Sequence, residues 1–490
     1  MAIKLYHPAS LEERTSAFEY QRETIDSVKN LDYSAIFLEQ GLGKTKIAID
    51  LCLYWLRNDE IDTALIVTKK GLVRNWQEEF AVHSHIKPRV LTNNRTTNHA
   101  AMLSPARLYI TNFETIRLEE QKLHVFCKLR RVAIILDESQ KIKNPESKLT
   151  ESFLRVSDLF VKRVIMTGTP IANRPYDIWA QVKFLDFGKS LGDNFTEFKK
   201  SLDLPNPEDK GAFVESMAEI FPAISGFAVR LTKAASGIDL PSKKYVQVEA
   251  DWESRQKEMY DEIRKELSLE VIRDGVLVDD DSESILKRML RLVQIASNPA
   301  LVDEAYDRIP GKFSQLKSIL DEVAKKGEKA IVWTSFVENA NILTKMLETF
   351  GAISLHGQMN MEKRHSAVTK FKNNADTKVL VATPAAAKEG LTLTVANHVI
   401  YYDRGFSLDD YLQSQDRIHR ISQERICYVH NLVLPGSIDE WVGKLIEFKE
   451  FSASFSMGDS KLKELEPVLD YDLADILKRI LFEESNDEVE

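Results

Sequence analysis

One pattern constrains this chain more than any other, and it occurs twice. Runs of three or four mostly apolar residues recur, each closed by polar or Gly/Asn-containing turns, with helical periodicity in between. The first series is Ala35–Leu38, Ala64–Val67, Leu108–Ile110, Ala133–Leu136 and Arg163–Met166. The second is Ala330–Trp333, Ala352–Leu355, Lys378–Val381, His398–Tyr401 and Cys427–Val429. A short strand with no polar alternation is buried on both faces, as in a parallel sheet covered by crossover helices. The pattern therefore predicts an α/β chain with two doubly wound parallel-sheet lobes in tandem. Between them, from Phe187 to Ile309, the strand signal fades. Trp252–Val271 and Ser284–Ala296 have helical spacing and heavy charge, and are read as helical insertions. Asp279, Asp280 and Asp281 mark an exposed loop. The last ten residues hold five acids and no base, which predicts a frayed tail.

Composition narrows the class without choosing a function. At 490 residues, 43% hydrophobic and 29% charged, the chain is long enough for about three ordinary globular domains. No run approaches the roughly 18 apolar residues that span a membrane, and Met1–Pro8 has no apolar signal core. A cytoplasmic or nuclear protein is the expectation. Cys52, Cys127 and Cys427 lie far apart, with neither zinc-ligand spacing nor the number for a disulfide framework, so they read as buried small hydrophobes. The ten histidines show no metal spacing. A net charge of −9 lends no support to nucleic-acid binding, although a local basic cleft would suffice for it.

Three constellations carry chemistry. Gly41-Leu42-Gly43-Lys44-Thr45 follows a predicted strand and opens a predicted helix, Lys44–Leu56. Glycines there let backbone N–H groups curl round a phosphate, and the helix N-terminus adds positive potential. Lys44 would reach the β- and γ-phosphates and Thr45 would hold Mg²⁺. Leu38 stands where the strict pattern has its first glycine. Next, Asp137-Glu138 ends an apolar strand, where two carboxylates are costly unless a metal or a water uses them. Asp137 would bind Mg²⁺ through its water shell, and Glu138 would orient and deprotonate the attacking water. Finally, Arg417 and Arg420 stand three apart, on one face if helical, and could stabilise charge on a terminal phosphate.

Taken in order, these blocks resemble the SWI/SNF-type ATPases of helicase superfamily 2, over about residues 18–441. Tyr20-Gln21 is similar to the glutamine motif that reads adenine. Glu39–Thr45 is similar to the family's phosphate loop. Leu65–Thr68 and the block around Asn75-Trp76 resemble motif Ia, and Thr111–Thr115 resembles motif Ib. Leu136–Asn144 resembles motif II, Met166–Pro170 with Asn173 motif III, and His419–Gln423 the His-Arg-Ile-Gly-Gln signature of motif VI. Leu240-Pro241-Ser242-Lys243, Asn298-Pro299, Phe336, His356-Gly357, Arg364 and Phe371 fit the blocks between. Two departures stand out. Ser139-Gln140 replaces the Ala-His that usually ends motif II. Motif V reads Ala386–Leu393 without its paired glycines, closer to the annealing-helicase branch.

The resemblance implies two RecA-like lobes that close on one ATP with Mg²⁺. The ATP set would be Gln21, Gly41, Leu42, Gly43, Lys44, Thr45, Gly390, Arg417 and Arg420. Thr45 and Asp137 would serve the metal, with Lys44, Asp137, Glu138, Arg417 and Arg420 catalytic. Gln140, Thr167, Gly168, Thr169 and Gln413 would couple the motifs. Double-stranded DNA is the implied partner, bound without sequence preference through Lys69, Lys70, Thr111, Asn112, Thr334, Lys388 and Thr392. Trp76 and Trp441 read as core anchors. Lobe one would span residues 1–245, with a helical protrusion at about 187–225. A second protrusion or linker would follow at 246–310, lobe two at 311–445, and a helical brace with the acidic tail at 446–490. A monomeric DNA translocase of a bacterium or phage is the expectation. A strand-separating helicase and an ATP-gated scaffold subunit are the alternatives. The first would need a wedge element that the sequence does not display, and intact catalytic residues argue against the second.

Overall fold

The computed structural model describes residues 10–202, 210–274, 282–387 and 391–464. The triple-aspartate loop, Lys388, Gly390, the first eight residues and the acidic tail lie outside the described residues. The chain divides into two compact units, one running to Ile238 and regaining Ser452–Lys461, the other spanning Asp239–Phe451.

The first unit is built on a seven-stranded parallel sheet. Its strands are β1 (Tyr33–Leu38), β2 (Thr63–Thr68), β3 (Arg89–Val90), β4 (Leu108–Asn112), β5 (Val132–Asp137), β6 (Lys162–Met166) and β7 (Ala228–Leu231). Their order is β3-β4-β2-β5-β6-β1-β7. The chain leaves β1 through helix Lys44–Arg57, skips two positions and returns as β2, so β1 flanks a topological switch point. Ligand crevices of doubly wound folds form at the carboxyl ends of strands beside such a point. β2 and β5 are buried along their whole length. That is why their sequence shows unbroken apolar runs.

The second unit repeats the plan with six parallel strands: β8 (Lys243–Glu249), β9 (Ala330–Trp333), β10 (Ile353–Leu355), β11 (Val379–Ala382), β12 (His398–Tyr401) and β13 (Cys427–Val433), ordered β10-β11-β9-β12-β13-β8. A wholly buried ion pair, Lys312 Nζ to Asp439 Oδ2 at 2.6 Å, ties the helix before β9 to the helix Ile438–Ser456, and Lys312 also donates to the Tyr402 carbonyl. Helices Ser254–Asp274 and Ser282–Ser297 stand where periodicity placed them.

All ten expected strands are present, and the two-lobe parallel α/β expectation holds. Three strands were not expected. β3 is only two residues long. β7 and β8 fall in the stretch read as purely helical. Both are edge strands, and β8 has an outer face of charged and polar residues. A strand covered on one side only carries no apolar run to detect. β8 crosses the position where the sequence reading ended lobe one, and its seven residues pair with β13 in the second sheet. Among the described residues no helix is long and apolar enough to cross a membrane.

Candidate nucleotide site and nucleic-acid groove

The phosphate loop leaves the carboxyl end of β1 with Gly41 at φ 93° and Gly43 at φ 70°. Those values favour glycine. At Gly43 space is restrictive too, because a Cβ would come within 2.3 Å of the Gln21 side-chain nitrogen. The Lys44 ammonium is buried and donates to the carbonyls of Leu38 (2.8 Å) and Glu39 (3.3 Å). Gln21 is buried beside the loop. Its amide nitrogen donates to the Leu42 carbonyl at 3.2 Å and its oxygen accepts from the Phe18 amide at 2.9 Å. Here Gln21 braces the loop.

The acidic pair stands at the end of β5, level with the end of β2, since Val67 is in register with Leu136. Asp137 Oδ2 accepts from the Thr68 hydroxyl at 3.0 Å and from the Trp76 indole at 2.8 Å. Trp76 is therefore more than a core anchor: it fixes the carboxylate expected to serve the metal. Burial, then the charge on Glu138, push the Asp137 carboxyl up, against the pull of Trp76, Lys44 and Thr68. A buried acid held by two neutral donors is poised for a cation. With the Thr45 hydroxyl at the helix start, this donor set fits a hydrated Mg²⁺.

Glu138 adopts φ 59°, in the left-handed region that non-glycine residues rarely occupy. Its Oε1 accepts from Gln40 at 3.0 Å, and its Oε2 from Gln140 at 2.5 Å and Lys69 at 3.2 Å. Burial would raise this carboxyl as well. Lys69 and Lys44, with the Gln140 and Gln40 amides, instead hold it below the usual carboxylate range. Gln140 thus serves Glu138 directly. Its neighbour Ser139 donates to Gln181 at 2.8 Å, and Gln181 donates on to the Pro170 carbonyl at 2.8 Å, linking motif II to motif III. In motif III the Thr167 hydroxyl accepts from the Thr169 amide, and Gly168 packs so closely on Gln40 that a Cβ would meet its Cγ at 2.9 Å. Sequence reasoning assigned no role to Gln40, Thr68 or Gln181. The first two lie inside the quoted motif blocks, and only their partners reveal what they do.

Four of the seven expected nucleic-acid contacts separate into two pairs. Lys70 and Asn112 line a groove of about 820 Å³ with Asn93, Asn94 and Arg95. Thr111 and Thr334 are fully enclosed where exposed phosphate contacts were expected: Thr111 donates to the Leu91 carbonyl, and Thr334 to Asp403 at 2.5 Å. Both continue the inward-facing ends of buried strands, where hydroxyls satisfy their own framework. The Asn112 side chain also caps the helix Phe113–Leu118.

In the second unit the helix Leu408–Gln415 ends before the arginines, so Arg417 and Arg420 sit in successive turns and the helical-face reading does not hold. Arg420 donates to the Asp416 carbonyl at 3.0 Å and to the Thr392 hydroxyl at 2.7 Å. Gln423 shapes the turn by donating to the carbonyls of Thr394, Ala396 and Ile418. Gln413 donates to Asp409 at 2.8 Å, inside its own helix. Cys52 and Cys427 are buried, as expected, whereas Cys127 is only half-buried. Trp441 packs edge-on against Phe406.

A glycine-turned loop with a buried lysine, set beside a strand that ends in paired acids, defines a phosphate-loop nucleotide-binding α/β protein. Residues 27–301 match the SNF2-related domain and residues 311–422 the helicase conserved C-terminal domain. The chain belongs to the SNF2-related family, ATPases of helicase superfamily 2. It is 27% identical over 434 residues to a Bacillus subtilis protein provisionally named ATP-dependent helicase/translocase YwqA, covering 84% of this chain and 45% of that one. It is 25% identical over 458 residues to a RAD54-like DNA repair and recombination protein of Danio rerio, covering 82% of this chain and 60% of that one. The chain thus spans less than two thirds of the curated relatives it matches. A solved Sulfolobus solfataricus SWI2/SNF2 ATPase core in complex with dsDNA aligns with 96% of this chain and 99% of its own, at 27% identity and a TM-score of 0.43.

Proposed function

We propose that this chain is a DNA-stimulated ATPase that converts hydrolysis into movement along double-stranded DNA. The observation that carries the reading is the knot of side chains at the carboxyl ends of β1, β2 and β5. There a buried lysine, a buried acid held by two neutral donors and a second acid held by three donors meet on one phosphate loop. A scaffold that only binds nucleotide has no use for a carboxylate so constrained.

Lys44 and the loop amides would bind the β- and γ-phosphates, and Thr45 and Asp137 would hold Mg²⁺. The metal supplies charge neutralisation at the phosphates when bound. Glu138 would orient the attacking water and accept its proton. Arg417 and Arg420 would stabilise charge on the transferring phosphoryl group. The groove containing Lys70, Arg95 and Asn112 offers cations and amides suited to backbone phosphates, which gives sequence-independent, salt-sensitive binding. The names of the relatives, a helicase/translocase and a DNA repair and recombination protein, agree with DNA as the substrate.

Hydrolysis measured with and without duplex DNA, with Lys44→Ala as control, tests the ATPase half. Equal rates in all three conditions would leave the scaffold reading standing. Displacement of a triplex-forming strand from intact duplex tests the movement half. A chain that unwinds forks but cannot displace the third strand is a helicase and not a translocase.

A further inference from the structure

The last turn of β2 addresses both acids of motif II. Thr68 donates to Asp137, and Lys69, the next residue, places its ammonium 3.2 Å from Glu138 Oε2. Lys69 has an extended backbone and directly precedes the short turn Lys70–Leu72. Its side chain keeps 19% of its surface exposed against 10% for Glu138, so this ion pair lies at the edge of the site rather than sealed within it. Lys70, one residue on, lines the groove that holds Asn93, Asn94, Arg95 and Asn112. A single dipeptide therefore has one ammonium on the water-activating carboxylate and its neighbour in the groove.

Glu138 is held in a costly shape. Its left-handed backbone is strained, and such strain persists only where the surroundings fix it. Gln40 holds one oxygen, and Gln140 and Lys69 share the other. Of these three donors only Lys69 is charged. It alone has a competing ligand of matching chemistry, because a DNA backbone phosphate presents the same bidentate anionic oxygens as a carboxylate.

We propose that Lys69 couples nucleic acid to hydrolysis by exchanging one anion for another. Without DNA its ammonium restrains Glu138. A backbone phosphate entering beside Lys70 takes over that ammonium, and Glu138, still held by the Gln40 and Gln140 amides, is released from it toward an attacking water. The exchange conserves charge, one anion replacing another as the partner of one cation, and it needs no rearrangement of the sheet. Lys69 is thus a positioning residue that acts through Glu138, and the inference rests on the ATPase reading above.

The test compares wild type, Lys69→Met and Lys69→Arg. Methionine keeps the length of the stem and removes the charge; arginine keeps the charge. Hydrolysis is measured without DNA and at saturating duplex, and the salt dependence of duplex binding is followed by fluorescence anisotropy without nucleotide. For Lys69→Met the DNA-free rate should rise at least fivefold and the ratio of stimulated to unstimulated rate should fall by a similar factor. The slope of log affinity against log salt should shrink by about 0.9, the loss of one phosphate contact. Lys69→Arg should stay near wild type in all three. A wild-type chain that duplex does not stimulate would defeat the functional reading itself. A stimulated wild type beside a Lys69→Met variant with unchanged DNA-free rate, or with an unchanged salt slope, overturns the coupling role alone. Binding of a fluorescent ATP analogue at wild-type affinity certifies that the variant is folded.

Discussion

The two units carry their candidate chemistry in opposite ways. In the first, functional side chains bond to one another across long stretches of sequence: Gln40 to Glu138, Lys69 to Glu138, Trp76 to Asp137. In the second, residues around the arginines bond to their own framework. Arg420 bonds to the Asp416 carbonyl four residues back, and Gln423 bonds to three carbonyls that shape its turn. The first arrangement preorganises reacting groups, and most of its electrostatic work is done before substrate arrives. The second preorganises a backbone path, and on the proposed function its guanidinium groups act once a phosphate meets them. Loss of a group should therefore differ in kind between the units. In the first it also disturbs the side chains bonded to the lost group, and in the second it should remove turnover, disturb few neighbours and leave the nucleotide bound.

The largest test of that contrast is Arg417→Ala and Arg420→Ala. Each should lower duplex-stimulated kcat by about three to five decades, the usual worth of an arginine finger. Affinity for a fluorescent ATP analogue should change no more than a few-fold. If nucleotide binding collapses in parallel with turnover, the two units do not divide their labour in this way.

Next in size is Glu138→Gln. Removing a general base costs about two to four decades in rate. The amide keeps the shape that Gln40, Gln140 and Lys69 enclose, so ATP and Mg²⁺ should still bind. Single-turnover hydrolysis against equilibrium nucleotide binding separates the two quantities. Retention of more than a tenth of wild-type turnover would assign water activation elsewhere.

The same contrast explains what could be read from the sequence. Buried parallel strands announce themselves as apolar runs, so β1, β2, β4, β5 and β6, and β9 to β13, were legible, and with them the two-lobe architecture. β7 and β8 were not, because edge strands half open to solvent lack that run. Lys44, Asp137 and Glu138 were legible because loop and strand-end chemistry restrict residue type at fixed spacing. The roles of Gln40, Thr68 and Trp76 were not, because each acts through a partner between 61 and 98 residues away, and no local pattern encodes that. Trp76 looked like an ordinary buried aromatic, and it is one on every side except at its indole N–H. Thr111 and Thr334 show the opposite error. A hydroxyl at a strand end looks available in sequence, yet both are enclosed and bonded inward.

Trp76→Phe tests the first unit at a finer grain. Phenylalanine fills most of the same space and deletes only the donor to Asp137. Loss of such an outer partner typically weakens metal binding by about 10–100-fold. The magnesium concentration at half-maximal hydrolysis should rise by that factor, with kcat at saturating magnesium nearly intact. An unchanged magnesium requirement would reduce Trp76 to the packing role that its burial alone suggests.

The smallest expected effect belongs to the second unit and concerns its stability. His398 at the start of β12 bonds through Nε2 to Glu328 (2.8 Å) and through Nδ1 to His430 Nε2 on β13 (3.2 Å), while the imidazole of His398 stacks on Tyr428. Burial, then the neighbouring His398 and Lys326, lower the His430 imidazole from its ordinary 6.5 to about 4; Arg425 adds positive charge beside His398. Glu328 is also lowered: burial would raise it, and its bonds to His398 and Asn397 with the charge of Arg425 outweigh that. Between pH 6.5 and 4 the unfolded chain therefore binds more protons at His430 than the folded one, and stability must fall as the solution is acidified through that window. Complete passage is worth on the order of 3 kcal/mol. His430→Phe keeps the stacked ring and removes the proton site. Its urea midpoint should lie near wild type at pH 7 and should fall less than that of wild type on going to pH 5. Equal acid sensitivity in the two proteins would mean that the histidine stack tolerates charge, and that the second unit draws its acid lability from carboxylates alone.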